Sequence, residues 1–594
     1  MNGFNNLNNL NTLNYSPSRY NDVIYRTEAS ASLDLNFARN KSLIDSISGN
    51  NLVTFTRASS GTYVGDDGLI KTATTNLLLR SEEFDNASWF AINTTTAADT
   101  ALSPFGNMTA DTINFNSISA NRYQSVTTKA STTYTFSIWM RSVSGTFELK
   151  LARTNGLTWA SATVSSPITL TTNWQRYSLT FTTDATDTTS DVIIGDEALT
   201  SYNLPATGSI YAWGAQVEES PTMGEYIPTT TTINSAPRFD HNPVTKESLG
   251  LLVEEQRTNL LNYSEDVSLW SSPFNATLTV NSISAPDGAL TADQLLETTA
   301  TNLHTCDGTA FTFVTSTVYT YSVFVKPIGD RNFEIAFPVT VFTARFARFT
   351  LSGAGSVQGT DSGVTGSIQA YANGWYRCVA TSTCASGAGS RVGNFINNAS
   401  NARSYLGDTS KGIYIWGAQL EAGAFPTSYI PTTSATVTRS ADVASITGTN
   451  FSSWYNQSEG TFVSESSSFD TSGFPRIFAA SDGTTNNQIR NSVNPGTLFS
   501  TFIVVTGGVS QAGIVIAYLV NTSYKRATAY KANDFVFVQN SGFPFTDTSG
   551  TVPTVDRLNI GSNESSLAQI NGYIRRIAYF PTRLSNTTLQ NITK

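Results

Sequence analysis

Charged side chains are scarce in this chain of 594 residues: Asp, Glu, Lys and Arg together make up 13% of it, against roughly 25% in an ordinary soluble protein. Exposed helices are surfaced with Lys, Glu, Gln and Arg, so the shortage argues against a helical fold. The Thr, Ser and Asn that fill the polar positions suit strands and turns instead. A basic surplus is missing as well. A net charge of −9 and a pI near 5.0 leave no basic stripe, so nucleic acid is not expected as a partner. No apolar run approaches the roughly 18 residues of a membrane-spanning helix. The stretch from Met1 to Leu7 has neither the basic start nor the apolar core of a signal peptide. The expectation is a protein soluble where it is made, without membrane insertion. Cysteine is rare, with Cys306, Cys378 and Cys384 forming no CxxC pair. That speaks against a disulfide framework or a zinc knuckle and for buried free thiols. The two histidines, His241 and His304, read as loop residues; a two-His metal site is not expected, and a Ser-His-Asp centre would have to use one of them.

What the chain has is a repeat. The stretch Gly208 to Glu218, carrying Tyr211-Ala-Trp-Gly-Ala-Gln216, is followed by Tyr226-Ile-Pro-Thr-Thr230. It returns as Gly412 to Glu421, carrying Tyr414-Ile-Trp-Gly-Ala-Gln419, followed by Tyr429-Ile-Pro-Thr-Thr433. Trp213 and Trp416 stand 203 residues apart, as do Tyr226 and Tyr429. The alternation predicts a buried strand that closes each copy, with both tryptophans in the core, and Pro ends it because it donates no ladder hydrogen bond. Each copy opens on Thr-Asn-Leu-Leu, at Thr75 and at Thr258, 183 residues apart, so the second copy has the longer internal loops. Between these ends, alternating stretches such as Ser131 to Trp139 and Ser316 to Phe324 recur without a helical period. The pattern predicts an antiparallel β-sandwich for each copy.

The length predicts three to five units. Residues 1–31 open with an Asn/Leu tract that makes a poor free helix; it is read either as an arm ordered by a partner or as disorder. Residues 32–75 and 236–257 read as the halves of a small β unit split by insertion of the first copy, 76–235. The first half contains a Gly65-Asp66-Asp67-Gly68 hairpin. The second copy is 258–440. Residues 441–594, with strands predicted at 499–505, 513–519, 534–538 and 570–580 and a last helical turn at Leu584 and Leu589, predict another two-sheet sandwich. The fold class is all-β, a tandem of antiparallel β-sandwiches with a short N-terminal arm.

At three places the sequence resembles tailed-bacteriophage virion proteins of the tail-fibre and head-fibre kind: Asp34 to Leu43 with Thr54 to Tyr63, Pro237 to Leu261, and Trp416 to Thr433. Residues 571–585 look like part of a concanavalin A-like lectin/glucanase sandwich. The openings Asn76 to Phe84 with Trp89, and Asn259 to Asp266 with Trp270, are similar to the start of jelly-roll carbohydrate-binding modules. The resemblance implies jelly-roll and lectin-like sandwiches on a virion surface, assembled in the host cytoplasm. It implies other phage virion proteins as partners through the N-terminal arm, a homotrimer by analogy with phage fibres, and host cell-surface polysaccharide as ligand. It also puts Glu82, Glu83, Glu265 and Asp266 where such modules hold a structural calcium, against the plainer alternative of a salt bridge to a neighbouring Arg.

An enzyme of the glucanase kind would need paired carboxylates. In 441–594 Glu459, Glu465, Asp470, Asp482, Asp534, Asp547, Asp556 and Glu564 are scattered, so no enzyme is expected. A sugar-binding site needs an aromatic platform beside amides or hydroxyls. Trp454 and Tyr455 with Asn456 and Gln457, in a Ser-rich stretch, are the candidates. The reading is a non-enzymatic virion protein of tail-fibre or adhesin type. A capsid-decoration or tail structural protein without sugar recognition is the alternative, and a polysaccharide depolymerase a third.

Overall fold

A computed structural model describes residues 30–117, 120–156, 158–195, 207–470, 473–494 and 496–594. The N-terminal arm predicted at 1–31 lies almost wholly outside the described residues. Strands dominate the remainder: among the described residues the α-helices are three short ones, Phe37–Asn40, Gly448–Ser452 and Asn586–Ile592. The chain divides into two compact units, one of residues 56–61 and 72–237, the other of 30–55, 62–71 and 238–594.

The first of these holds the first repeat. A five-stranded antiparallel sheet runs Gln175–Thr182, Thr133–Ser142, Gly208–Glu218, Met108–Phe115, Thr94–Leu102. Against it stands a sheet ordered Thr158–Val164, Phe147–Asn155, Thr189–Gly195, Asn121–Thr127, Phe90–Ile92. Successive side chains alternate between faces. Phe136, Ile138, Ile210 and Ala212 of one sheet therefore meet Leu149, Leu151, Val192 and Ile194 of the other in one buried core. Burying each large side chain contributes roughly 1.5–3 kcal/mol. The ends of the module are zipped together, Thr75–Asn76 pairing with Asn234–Ser235.

The second repeat is built the same way inside the other unit. Its sheets run Ala276–Ile283, Ala292–Glu297, Gly412–Ala422, Val318–Ile328, Tyr376–Thr383, Thr365–Ala370 and, facing it, Ser356–Thr360, Phe346–Thr350, Asn332–Ala336, Gly393–Asn397, Thr301–Asp307, Ser404–Leu406. Here too the ends pair, Arg257–Asn259 with Val437–Arg439. The repeated motif has one job in both copies. Gly214 and Gly417, at φ 65° and 66°, form a bulge in the closing strand that leaves Trp213 and Trp416 buried, each indole donating 3.0 Å to a Thr hydroxyl, Thr109 or Thr291. Gln216 and Gln419 accept from the Ile227 and Ile430 amides, at 2.8 and 2.6 Å. Asn76 and Asn259 donate to the carbonyls of the same isoleucines. Opening, closing strand and Tyr-Ile-Pro tail are thereby locked to one another.

The last sandwich pairs an eight-stranded sheet with a seven-stranded one. The segments 32–75 and 236–257, expected as a small unit of their own, are placed differently. Leu33–Leu35 and Ser248–Val253 both hydrogen-bond to Gly572–Phe580, with Leu33 opposite Tyr579 and Leu251 opposite Ile574. Strands of three to six residues make no stable sheet alone, so they complete a larger one. Asp34 fixes the first of them with a bidentate ion pair to Arg576, at 2.7 and 2.8 Å. Thr62–Val64 and Ile70–Thr72 form the expected hairpin, and Asp67 at its tip pairs with Lys71 at 2.7 Å. The predicted final helix is Asn586–Ile592, capped by the Ser585 hydroxyl, with Leu589 and Ile592 buried.

One polar cluster stands out in this unit. Arg238 is fully buried and bridges Glu254, at 2.8 Å, and Asp442; Arg439 stands 3.5 Å from Glu254 and 3.9 Å from Asp442. Burial alone would raise the Glu254 carboxyl, but Arg439 and Arg238 outweigh it and hold the group at about 2. A carboxylate held below its ordinary value of 4.5 contributes stability that is complete above that value and disappears as pH falls towards 2. Arg238→Met removes a partner from two buried carboxylates. The urea midpoint of this unit at pH 7 should fall by the equivalent of about 3–5 kcal/mol, and its acid dependence between pH 4.5 and 2 should flatten. A loss under about 1 kcal/mol, as for a surface pair, would show that the cluster anchors nothing.

Candidate functional site

In each repeat the second sheet turns one face to the core and the other outward. In the first repeat Arg122, Gln124 and Val126 point inward, so alternation sends Tyr123 and Ser125 out. Register then places Phe90 beside Tyr123, Tyr123 beside Ile193, and Ile193 beside Ala152 across the sheet. Phe90 is 52% exposed, and its ring stacks on that of Tyr123 at 5.2 Å and 25°. The next row is polar: Ser125 donates to Asp191, and Thr154 donates to the same carboxylate at 3.4 Å. A stacked aromatic pair beside hydroxyls and a carboxylate is the combination that holds a sugar ring. The rings can cover its CH face, and Ser125, the exposed member of the polar row, can hydrogen-bond its hydroxyls, with the buried Asp191 and Thr154 holding Ser125 in place.

The corresponding face of the second repeat is a groove of 770 Å³, within the usual range for ligand sites. Thr305, Phe395, Glu334 and Arg348 form one row across it, and Asp307, Gly393, Ala336 and Phe346 the next. The rings here are covered by guanidinium groups, Arg403 lying 4.3 Å over Phe395 and Arg348 4.4 Å over Phe346. Both arginines also pair with the buried Glu334, Arg348 at 2.8 Å. Arg345 and Arg391 line the same groove. Burial raises the Asp307 carboxyl above its ordinary range, with Thr305 and Arg391 pulling the other way, and burial lowers the Arg403 guanidinium.

The residues singled out from sequence lie elsewhere. Trp454 and Tyr455 are not a platform: they are 5% and 9% exposed and pack on Tyr579 at 5.0 and 5.2 Å, in the core of the last sandwich. Asn456 donates to the Pro581 carbonyl, and Gln457 clamps the Val555 backbone at 2.7 and 3.1 Å; both amides are engaged in holding loops. The four carboxylates proposed for calcium have protein partners. Glu83 takes Arg80 at 2.8 Å, Asp266 caps the Ser268 amide, and Glu82 and Glu265 each accept 3.0 Å from the closing tyrosine, Tyr226 or Tyr429. Among the described residues no group of three His, Cys, Asp or Glu side chains is placed to hold a metal ion. Neither histidine is in a loop. His241 and His304 are buried in strands, with Nδ1 3.1 Å from the Val64 carbonyl and 2.7 Å from that of Asn275. The three cysteines are free and buried as expected, burial pushing the Cys306 thiol up to about 12.

Residues 79–196, in the first repeat, match the model of a carbohydrate binding domain family. No curated protein matches the sequence. Among solved structures, similarity is found to the CBM40 of the Ruminococcus gnavus IT-sialidase bound to alpha2,6 sialyllactose, at 13% identity and a TM-score of 0.22, over 23% of this chain and 85% of that one. The NanB sialidase from Streptococcus pneumoniae is similar at 13% and 0.22, over 25% of this chain and 26% of that one. The SAP-like pentraxin of Limulus polyphemus is similar at 12% and 0.19, over 23% and 70%. At these identities and scores no property of this chain follows from the solved structures.

The two aromatic sets have opposite expected behaviour. Tyr455→Ala opens a cavity among Phe451, Phe462 and Tyr579 and should cost about 3–5 kcal/mol of stability. Tyr123→Ala, on an outer face, should cost about 1 kcal/mol or less. Chemical denaturation of the two variants side by side decides this, and equal losses would mean that the Tyr123 face is core.

Proposed function

We propose that this chain is a non-enzymatic surface protein of a tailed-bacteriophage particle whose β-sandwiches hold host-surface polysaccharide. The observation that carries the sugar-binding part is the stacked Phe90–Tyr123 pair beside Ser125, Asp191 and Thr154, on the outer sheet of the module matched by the carbohydrate binding domain model. The virion part is supported by the sequence likeness at residues 34–63, 237–261 and 416–433. In this reading residues 1–31 attach the protein to the particle and three copies associate. Many weak sites on one particle then act together, because each bound site raises the effective concentration of the next.

The absence of catalysis is part of the proposal. Each histidine turns its Nδ1 to a backbone carbonyl, and the carboxylates of both outer faces are engaged by Ser, Thr or Arg partners. Isothermal titration of the full chain with neutral oligosaccharides from the host envelope should give heat that weakens about tenfold or more on Phe90→Ala or Tyr123→Ala, the size of an interface hot spot. No reducing ends should appear at high protein concentration. Antibody label on intact particles should fall at the sites of host contact. Even label over the capsid together with no saccharide heat would replace adhesion by structural decoration.

A further inference from the structure

The two outer faces share a scaffold but not a chemistry. Around the groove of the second repeat stand Arg345, Arg348, Arg391 and Arg403, against the carboxylates of Asp307 and Glu334, so two positive charges are in excess in a chain whose net charge is −9. The excess is not tied up. Among the described residues Arg345 and Arg391 have no ion-pair partner; both are exposed, and Arg391 donates only to the Gly308 carbonyl, at 2.8 Å. Arg403 is held over Phe395 by its pair with Glu334.

Guanidinium differs from ammonium in offering a planar fork of donors that fits the two oxygens of a carboxylate or phosphate, and it is less strongly hydrated. Four such groups converging on a groove also strengthen one another's field, since the sheet beneath them is a low-dielectric wall. The Phe346 and Phe395 rings, already covered by Arg348 and Arg403, leave less bare aromatic surface for a neutral sugar than the Phe90–Tyr123 pair does. Among the described residues the matching face of the first repeat has no such cluster; its charged groups are Glu148, Lys150 and Asp191, two negative and one positive.

We propose that the groove formed by Arg345, Arg348, Arg391, Arg403, Phe346 and Phe395 binds an acidic saccharide, a sugar carrying a carboxylate or phosphate group. This rests on the sugar-binding reading and specifies the ligand class of one of its two faces. The anion sits between the exposed guanidinium groups of Arg391 and Arg345, and the sugar ring lies along the guanidinium-covered rings. Specificity then comes from charge, and the neutral ligand of the first repeat is excluded by the desolvation of unpaired arginines that it would leave behind.

The test uses the full chain and four probes: a galacturonic acid trisaccharide, its fully methyl-esterified counterpart, a mannose phosphate oligosaccharide, and a single-stranded thymidylate homopolymer. The acid or the phosphate should bind about tenfold or more tightly than the ester, and its affinity should fall as salt rises from about 50 to about 500 mM. The double variant Arg345→Ala/Arg391→Ala, made at exposed positions, should lose that preference and leave binding of neutral saccharides at the Tyr123 face unchanged. Tyr123→Ala should do the reverse. Acid or phosphate binding more tightly than the other identifies the anion, and either result supports the groove. Equal binding of acid and ester while the Tyr123 face still binds neutral sugar overturns this proposal alone. No saccharide binding at either face overturns the sugar-binding reading with it. Tighter binding of the thymidylate polymer than of any saccharide would make the groove a nucleic-acid site and end the proposal.

Discussion

Four side chains with no access to water hold the larger unit together: Arg238, Glu254, Arg439 and Asp442. None of them is tolerable alone, because a charge without a partner in a dry interior costs several kcal/mol. Arg238 opens the strand Arg238–His241, Glu254 follows the strand Ser248–Val253, and Arg439 and Asp442 lie where the second repeat gives way to the last sandwich. Segments far apart in sequence therefore have to meet at one point. Neighbouring polar groups extend the arrangement. The Glu254 amide donates to Asp442, the Ser428 amide and hydroxyl donate to Glu254 at 2.7 Å, and Arg238 reaches the Thr62 carbonyl at 3.0 Å. A purely apolar junction could slide by a residue; an array of directed hydrogen bonds sets one register.

The same requirement explains how the repeats are carried. Each enters and leaves through a two-stranded zipper of two or three residues, Thr75–Asn76 on Asn234–Ser235 and Arg257–Asn259 on Val437–Arg439. Ends that are adjacent allow a folded module to be inserted without disturbing the host strands. This is why Leu33–Leu35 and Ser248–Val253, separated by the first repeat in sequence, share the strand Gly572–Phe580. Sequence alternation could say that these were strands. It could not say which sheet they joined, because their partner lies more than 300 residues further on and nothing local encodes the pairing.

The sandwiches themselves were legible for a definite reason. The repeated Asn, Gln, Trp-Gly and Tyr-Ile-Pro residues act on each other through short hydrogen bonds, so the sequence pattern and the structural contact are the same fact; Asn76 donating to Ile227 in one copy is Asn259 donating to Ile430 in the other. Buried aspartates repeat too. Asp111 accepts the Phe84 and Asp99 amides as Asp293 accepts those of Val267 and Asn281, and burial raises both carboxyls, that of Asp111 to about 6. The outer faces were harder to find. A Ser-rich stretch around Trp454 and Tyr455 suggested exposure, but composition averages over a window, whereas burial is decided side chain by side chain. Phe451, one turn earlier, draws both rings onto Tyr579. The usable signal was parity. Once Val126 is assigned to the core, Tyr123 and Ser125 must point outward, and Arg345, Arg348, Arg391 and Arg403 belong to a chain otherwise poor in charge.

Parity also shows why one scaffold can support two chemistries. The inward residues of the second sheets, Val126, Val192 and Ile194 in one copy and Phe333, Ile335 and Ile396 in the other, answer to packing and are exchanged only for residues of similar apolar bulk. The outward residues take no part in the packing between the two sheets. Tyr123 in one face and Phe395 in the other lie outside the core between the sheets. A duplicated module is thus free to diverge on its outer sheet while its inner sheet and its hydrogen-bonded closing strand stay unchanged. The arginines show how far that divergence can go: Arg348 and Arg403 are supported by Glu334, a carboxylate with no exposed surface that alternation places on the outer face. Unpaired, that buried carboxylate would destabilise the sheet, and two guanidinium groups against its single charge convert the liability into a positively charged groove.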